Sequence, residues 1–356
     1  MTTQTTQIDQ AKLESLIGRA VDDLGATSSA ALVVIGDKLG LYRALGDLGP
    51  ATPEDLAAAT GTSARYLRHW LLNQASAGYV DYSPGTGRYS LTPEQAMVFA
   101  DDESPYSMVG GFGLVTAAIK AEPRIAEAVR SGGGMPWGEH DEGLFRGTER
   151  FFKPGYIGNI AQSWIPSLSG VREALQDGGT VADVGCGFGA STVIMAQAYP
   201  RSRFLGFDSH QPSIEAAREA AAAAGVGDRV TFDVATAQEF TGREYDLVTF
   251  FDCLHDMGDP TGAARHAHEA LKAGGSVMLV EPMAGDTVEA NLNPVGRIFS
   301  AASVLICSPH AIAEGGRALG TIATDAELAT VFNDAGYDSF RRATETPTNR
   351  VFEART

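Results

Sequence analysis

Between Val181 and Ser191 the chain reads V-A-D-V-G-C-G-F-G-A-S, and no other stretch narrows the possible folds as strongly. A short apolar run ends on three alternating glycines, Gly185, Gly187 and Gly189, and a helical pattern follows at once, closing before Pro200. Only glycine lets a backbone turn this sharply and approach a ligand with no Cβ in the way. Strand, glycine turn and helix in this order predict the opening unit of a nucleotide-binding sheet. A glycine-rich loop alone is weak evidence, so its surroundings decide.

Those surroundings repeat the alternation. Strand-like runs at 203–207, 230–234, 246–251 and 276–281 alternate with helical patterns at 209–224 and 260–272, which predicts an α/β fold with a doubly wound, Rossmann-like sheet. A capping box at Thr324-Asp325-Ala326-Glu327 opens one more helix, which Gly336 stops. Two final strand-like stretches, 340–344 and 350–354, are expected to close the sheet as an antiparallel hairpin. Asp208 ends the second strand 23 residues after Gly185, the spacing at which nucleotide folds place a ribose-binding acid. The competing reading is a cap on the following helix.

A length of 356 residues suggests two domains, and 44% hydrophobic residues supply a real core. Apolar runs such as 30–35 and 277–280 are short, so no membrane span is expected. The opening M-T-T-Q-T-T-Q-I-D-Q lacks the pattern of a secretion signal and reads as a loose tail. Together with three scattered cysteines it points to a reducing cytoplasm. A net charge of −17 opposes phosphate backbones and anionic membranes, so neither nucleic acid nor membrane is expected as a partner.

Residues 1–103 read as a mostly α winged-helix domain. A helix over 30–45, one started by Thr52-Pro53, and one capped by Ser63 with Leu67, Trp70, Leu71 and Gln74 on one face precede a hairpin over 79–91. Seven basic against thirteen acidic residues over 1–103 argue against DNA and for a dimerisation or packing role, hence a homodimer. Residues 104–176 read as a helical connector whose aromatics, among them Trp137, Phe152, Tyr156 and Trp164, are expected to wall a substrate pocket as a group. For each one taken singly, inter-domain core is the alternative.

The glycine run, G-F-D at Gly206 to Asp208, the strand Tyr245 to Phe251 and A-G-G at Ala273 to Gly275 resemble class I S-adenosylmethionine-dependent methyltransferases. With the winged-helix front end, the chain is similar to small-molecule O-methyltransferases and to a group of actinobacterial winged-helix methyltransferases. The resemblance implies S-adenosylmethionine as cofactor and S-adenosylhomocysteine as product, a choice that spacing does not make against NAD. It further implies that Asp183, Gly185, Cys186, Gly187, Phe188 and Gly189 hold the methionine portion, that Asp208 with Ser209 takes the ribose, and that Asp252 and Cys253 border the methionine end. Thr236-Ala237 stands where such enzymes often keep an acid before an alanine near adenine.

Immediately past the strand at 246–251, D-C-L-H-D-M-G-D resembles the H-D-W-S-D segment of plant O-methyltransferases. That implies His255 as the base that deprotonates the acceptor hydroxyl and Glu281 as the acid that orients it. An imidazole near pKa ~6.5 suits the task, and a packing or capping histidine is the alternative. Ile322 replaces a further glutamate of the plant enzymes. No metal is expected, since neither an Asp-Asn pair nor grouped Cys and His residues follow the strands. The insert 282–320, within a catalytic domain over 177–356, reads as a helical lid, with Asn293 and Arg297 as candidates to face the acceptor and packing as the alternative for each. The expected function is methyl transfer to a hydroxyl, less readily to N or C, of a small apolar or aromatic metabolite. The alternatives are a metabolite-sensing winged-helix transcription regulator and an enzyme of this fold that uses the cofactor for another reaction.

Overall fold

In the computed structural model, which describes residues 8–356, the Asp9 side chain accepts a hydrogen bond from the Lys12 N–H and starts α1 (Gln10–Lys38). The expected tail is thus shorter than ten residues, and positions 1–7 lie outside the described residues. The helix expected over 30–45 is two helices. Gly40, at φ 66°, breaks the run, and α2 (Leu41–Leu48) follows. The first nineteen residues of α1 bury nothing, and the sequence reading passed over their apolar positions Leu13, Leu16, Ile17, Val21 and Leu24.

The other parts of the first unit match their signals. Thr52 and Asp55 form a capping box on α3 (Pro53–Thr60). α4 (Ala64–Ser76) buries Leu67, Trp70, Leu71 and Gln74, and the Gln74 side-chain carbonyl accepts the Tyr42 hydroxyl at 2.5 Å. Ser63 occupies the cap position but makes no side-chain hydrogen bond, so the apolar face specifies this helix. β1 (Asp81–Ser83) and β2 (Arg88–Ser90) make the wing, and α5 (Pro93–Phe99) follows. A boundary between two compact units falls within α6 (Val109–Ile119), one unit ending at Thr116 and the other covering Ala117–Thr356.

The second unit begins with α7 (Glu122–Ser131), α8 (Glu142–Asn159) and α9 (Val171–Asp177). The alternating run is β3 (Thr180–Val184), α10 (Ala190–Ala198), β4 (Arg203–Asp208), α11 (Gln211–Ala223), β5 (Val230–Val234), β6 (Tyr245–Phe251), α12 (Pro260–Ala270) and β7 (Leu271–Pro282). After the insert come α15, here counted after α13 (Pro294–Ala302) and α14 (Ser308–Ala313), over Asp325–Ala335, and the hairpin β8 (Ser339–Glu345) and β9 (Asn349–Arg355). The seven strands are ordered β5-β4-β3-β6-β7-β9-β8, parallel except for the final hairpin. Both faces are covered, so Val181, Ala182, Leu247, Val248 and Val277 are fully buried, which explains unbroken apolar runs in place of alternation.

From β3 the chain winds outward through β4 to β5, then returns to place β6 on the other side of β3. This reversal is the switch point at whose carboxyl edge open α/β sheets bind ligands. In the insert, α13, a π-helical turn at Ser303–Cys307 and α14 join into one apolar run of 20 residues, Pro294–Ala313. This one helix has the length and composition of a membrane span, where the sequence reading expected none. Phe299, Ile306, Cys307 and Ala311 on it are buried within the protein.

Candidate functional site

The glycine turn lies at the switch point. Gly185, Gly187 and Gly189 have φ of 73°, 52° and 81°, values that side chains with a Cβ rarely adopt. A Cβ on Gly185 would stand 2.6 Å from Cys253 Sγ. The Gly185 and Cys186 N–H groups both donate to the Phe207 carbonyl, which ties the turn to β4. Asp208 completes the tie, since its Oδ2 accepts the Gly187 N–H at 2.9 Å and its Oδ1 the His210 N–H at 2.8 Å. Burial raises its pKa, against the lowering effect of these two donors.

A cavity of about 490 Å³ opens here. Gly185, Cys186, Gly187, Phe188, Asp208 and Ser209 form one wall, and Thr236, Ala237, Asp252 and Cys253 another. Trp137, Phe152 and Tyr156 of the connector complete it, so those aromatics do wall a pocket. Phe145, one of the connector aromatics, and Asp256 and Asp259 of the segment after β6 also line it, without having been given individual roles; Glu149 on α8 and His310 and Glu314 of the insert were missed by sequence reasoning. Glu314 carried no local signal. It arrives by accepting the Gly258 N–H across 56 positions of sequence, at 2.8 Å. Six carboxylates, from Glu149, Asp208, Asp252, Asp256, Asp259 and Glu314, line the cavity, and no lysine or arginine is among the described lining residues.

Several expected site residues lie elsewhere. Asp183 is fully buried and its carboxylate accepts the Ser191, Thr192 and Thr249 hydroxyls at 2.7, 2.5 and 2.8 Å, so it braces β3 against α10 and β6 and does not line the cavity. Gly189 sits below the turn, where a Cβ would meet Phe232 at 2.8 Å. Trp164 is fully buried, packed on Tyr156 and Phe251 in the core. Asn293 caps α13 by accepting the Gly296 N–H, as Asn before Pro commonly does, and Arg297 is exposed; neither lines the cavity.

His255 and Glu281 meet as expected. The Nδ1–Oε2 distance is 2.5 Å and the His255 backbone N–H donates to Oε1 at 3.2 Å, with both residues buried. Burial pulls the imidazole pKa down, but Glu281 and the Cys307 thiol outweigh it and hold it well above its ordinary value. His255 is not on the cavity wall. Its ring nitrogens, the Asp256 carboxylate and Cys307 Sγ also come within 4.8 Å of one another, a juxtaposition the sequence reading did not consider. One of those nitrogens is already engaged by Glu281.

Asp252 is the acid that does reach the cavity. It has φ 51°, a left-handed conformation, and its N–H donates to the Val280 carbonyl of β7. Its Oδ2 accepts the Tyr156 hydroxyl at 2.9 Å and its Oδ1 the Asn349 side-chain N–H at 2.7 Å. Burial, then the neighbouring Glu281 charge, pushes its pKa up to about 8. Burial likewise lifts Asp256 to about 6.

Residues 182–277 match the model of a methyltransferase domain, and residues 27–100 that of an Rv2258c-like winged HTH domain. The chain is 31% identical over 156 residues to the ubiquinone biosynthesis O-methyltransferase of Pseudomonas paraeruginosa, a match covering 43% of this chain and 60% of that protein. Human N-acetylserotonin methyltransferase, solved in complex with S-adenosylmethionine, superposes with a TM-score of 0.70 at 18% identity, covering 100% of this chain and 99% of the other. An O-methyltransferase family protein from Burkholderia thailandensis gives 0.68 at 18% identity, with 99% of each chain covered. These likenesses carry the fold. Residues 182–277 thus carry a methyltransferase domain, preceded at residues 27–100 by an Rv2258c-like winged helix-turn-helix domain, and the chain spans 60% of the length of the ubiquinone-biosynthesis relative it matches.

Proposed function

We propose that this protein transfers the methyl group of S-adenosylmethionine to a hydroxyl of a small, apolar or aromatic molecule. The observation that carries the reading is the composition of the cavity at the switch point: a glycine turn, Asp208, and carboxylates without lysine or arginine. The pyrophosphate of a dinucleotide would meet repulsion there, whereas a sulfonium cation meets attraction. The curated relative is named an O-methyltransferase, which supports the same reading.

The backbone of Gly185, Cys186, Gly187 and Phe188 would hold the methionine portion, Asp208 with Ser209 the ribose, and Thr236-Ala237 the adenine edge. Bound there, the cofactor supplies an electrophilic methyl group. The contribution of the chain to an in-line displacement is alignment of the acceptor, for which Trp137, Phe152 and Tyr156 provide a flat apolar wall. His255 is the proposed proton acceptor. Glu281 fixes its Nδ1 and supplies the counter-charge to the imidazolium that forms. For this, the π-helical turn that carries Cys307 has to draw back from the ring as the acceptor enters, and π turns are frequent at functional sites.

A cytoplasmic homodimer is part of the proposal, supported by the exposed apolar residues Leu16, Ile17, Val21 and Leu24 along α1. The regulator alternative finds less support, since Arg43, Arg68 and Arg88 of the winged helix are paired with Asp102, Glu54 and Asp55. The test is S-adenosylhomocysteine release with a panel of phenols and other small alcohols. His255→Ala is expected to slow turnover about 10²- to 10⁴-fold with cofactor affinity within about twofold of wild type. Undiminished turnover in that variant removes the assigned role, and cofactor consumption without a methylated product favours a different reaction.

A further inference from the structure

Asp252 stands out among the cavity acids because its surroundings are built around it. A residue with a Cβ in a left-handed conformation is held there only when its neighbours over-determine it. Two donors from distant parts of the chain, Tyr156 on α8 and Asn349 at the start of β9, converge on its two oxygens. The remaining charged and titratable groups facing it are Glu281 from β7 and His255 just past β6, while Asp183 and Cys253 face its Tyr156 partner. Strands β4, β3 and β6 are adjacent, so Asp208, Gly185 and Asp252 follow one another along the carboxyl edge of the sheet.

We propose that Asp252 is the charge-discriminating acid of the cavity, the residue that holds the sulfonium form of the cofactor and lets its neutral thioether product go. The inference rests on the reading that the cavity takes S-adenosylmethionine. That molecule carries one net positive charge, and S-adenosylhomocysteine carries none. Without ligand, burial and Glu281 keep Asp252 protonated near neutrality. A cation seated beside it favours the carboxylate, so binding releases a proton to solvent, and the carboxylate then attracts the sulfonium. Methyl transfer removes that charge, the carboxylate loses its partner, and it recovers a proton from solvent. Charge and proton count balance over the cycle.

Titration calorimetry of the full chain near pH 7, run in phosphate and in Tris, reads the protons exchanged from the buffer dependence of the heat. With the wild type, S-adenosylmethionine is expected to release roughly one proton per site and S-adenosylhomocysteine close to none. In Asp252→Asn the release is lost and the affinity ratio of the two ligands moves at least about tenfold toward the product, a shift of about 1.4 kcal/mol. Tyr156→Phe removes one donor to the carboxylate and is expected to move proton release to higher pH. Equal proton release by both ligands in the wild type overturns the proposal, without needing any variant to fold. So does an unchanged affinity ratio in Asp252→Asn. Failure of both ligands to bind the wild type instead overturns the cofactor reading itself.

Discussion

The carboxylates of this protein differ in what their neighbours leave them free to do. Asp183 lies near the end of β3, just before the glycine turn, which in sequence looks like a ligand position. In the folded chain, Ser191 and Thr192 from α10 and Thr249 from β6 claim it. No local spacing announces a hydroxyl 66 positions away, and the same holds for Asn349 reaching Asp252 and Glu314 reaching the cavity. Asp208 was legible because its partners, Gly187 and His210, are set by the strand-turn-strand spacing itself. Asp252 and Asp256 have folded pKa values of about 8 and about 6, against about 3.9 for an unfolded aspartate. The folded state thus binds protons that the unfolded state has lost, and stability falls as pH rises from about 4 toward about 8. The raised pKa of His255 adds a slope of the same sign above about 6.5. Thermal melts of the ligand-free protein are expected to show Tm falling between about pH 5.5 and about pH 8, with a shallower fall in Asp252→Asn. A Tm that rises over that interval contradicts these assignments.

Elements were legible where the chain carries its own punctuation. The strands of the sheet, the capping box at Thr324 and the stop at Gly336 sit where their residues indicate. The outer half of α1 was passed over although Leu13, Leu16, Ile17, Val21 and Leu24 recur there at helical spacing, and none of these side chains is buried in the described residues. The insert hid its length as three helical pieces joined by a π turn. Gly185→Ala is expected to destabilise by about 1–3 kcal/mol, because the new Cβ meets both a left-handed φ and the Cys253 sulfur. Urea unfolding checks the stability, and calorimetry should show cofactor binding weakened in the same variant. Thr324→Ala removes the cap of α15 and should cost about 1 kcal/mol in urea while leaving cofactor binding unchanged.

At the scale of the molecule, an acidic chain of net charge −17 directs part of that charge into the cavity at the switch point, which six carboxylates line. Composition revealed the sign but not the place. The exposed apolar stripe on α1 belongs to the other unit and gives a separate expectation: light scattering after gel filtration should report a dimer, and Leu16→Asp with Leu24→Asp should shift it toward monomer. The central claim is that the acid-lined switch point binds a sulfonium nucleoside through Asp208. Calorimetry of S-adenosylmethionine and NAD against the wild type and Asp208→Ala tests it most directly. The expected result is binding of S-adenosylmethionine by the wild type, a loss of at least about tenfold in Asp208→Ala, and no heat with NAD. Binding of NAD as tight as that of S-adenosylmethionine, or an Asp208→Ala variant that binds S-adenosylmethionine as the wild type does, would contradict it.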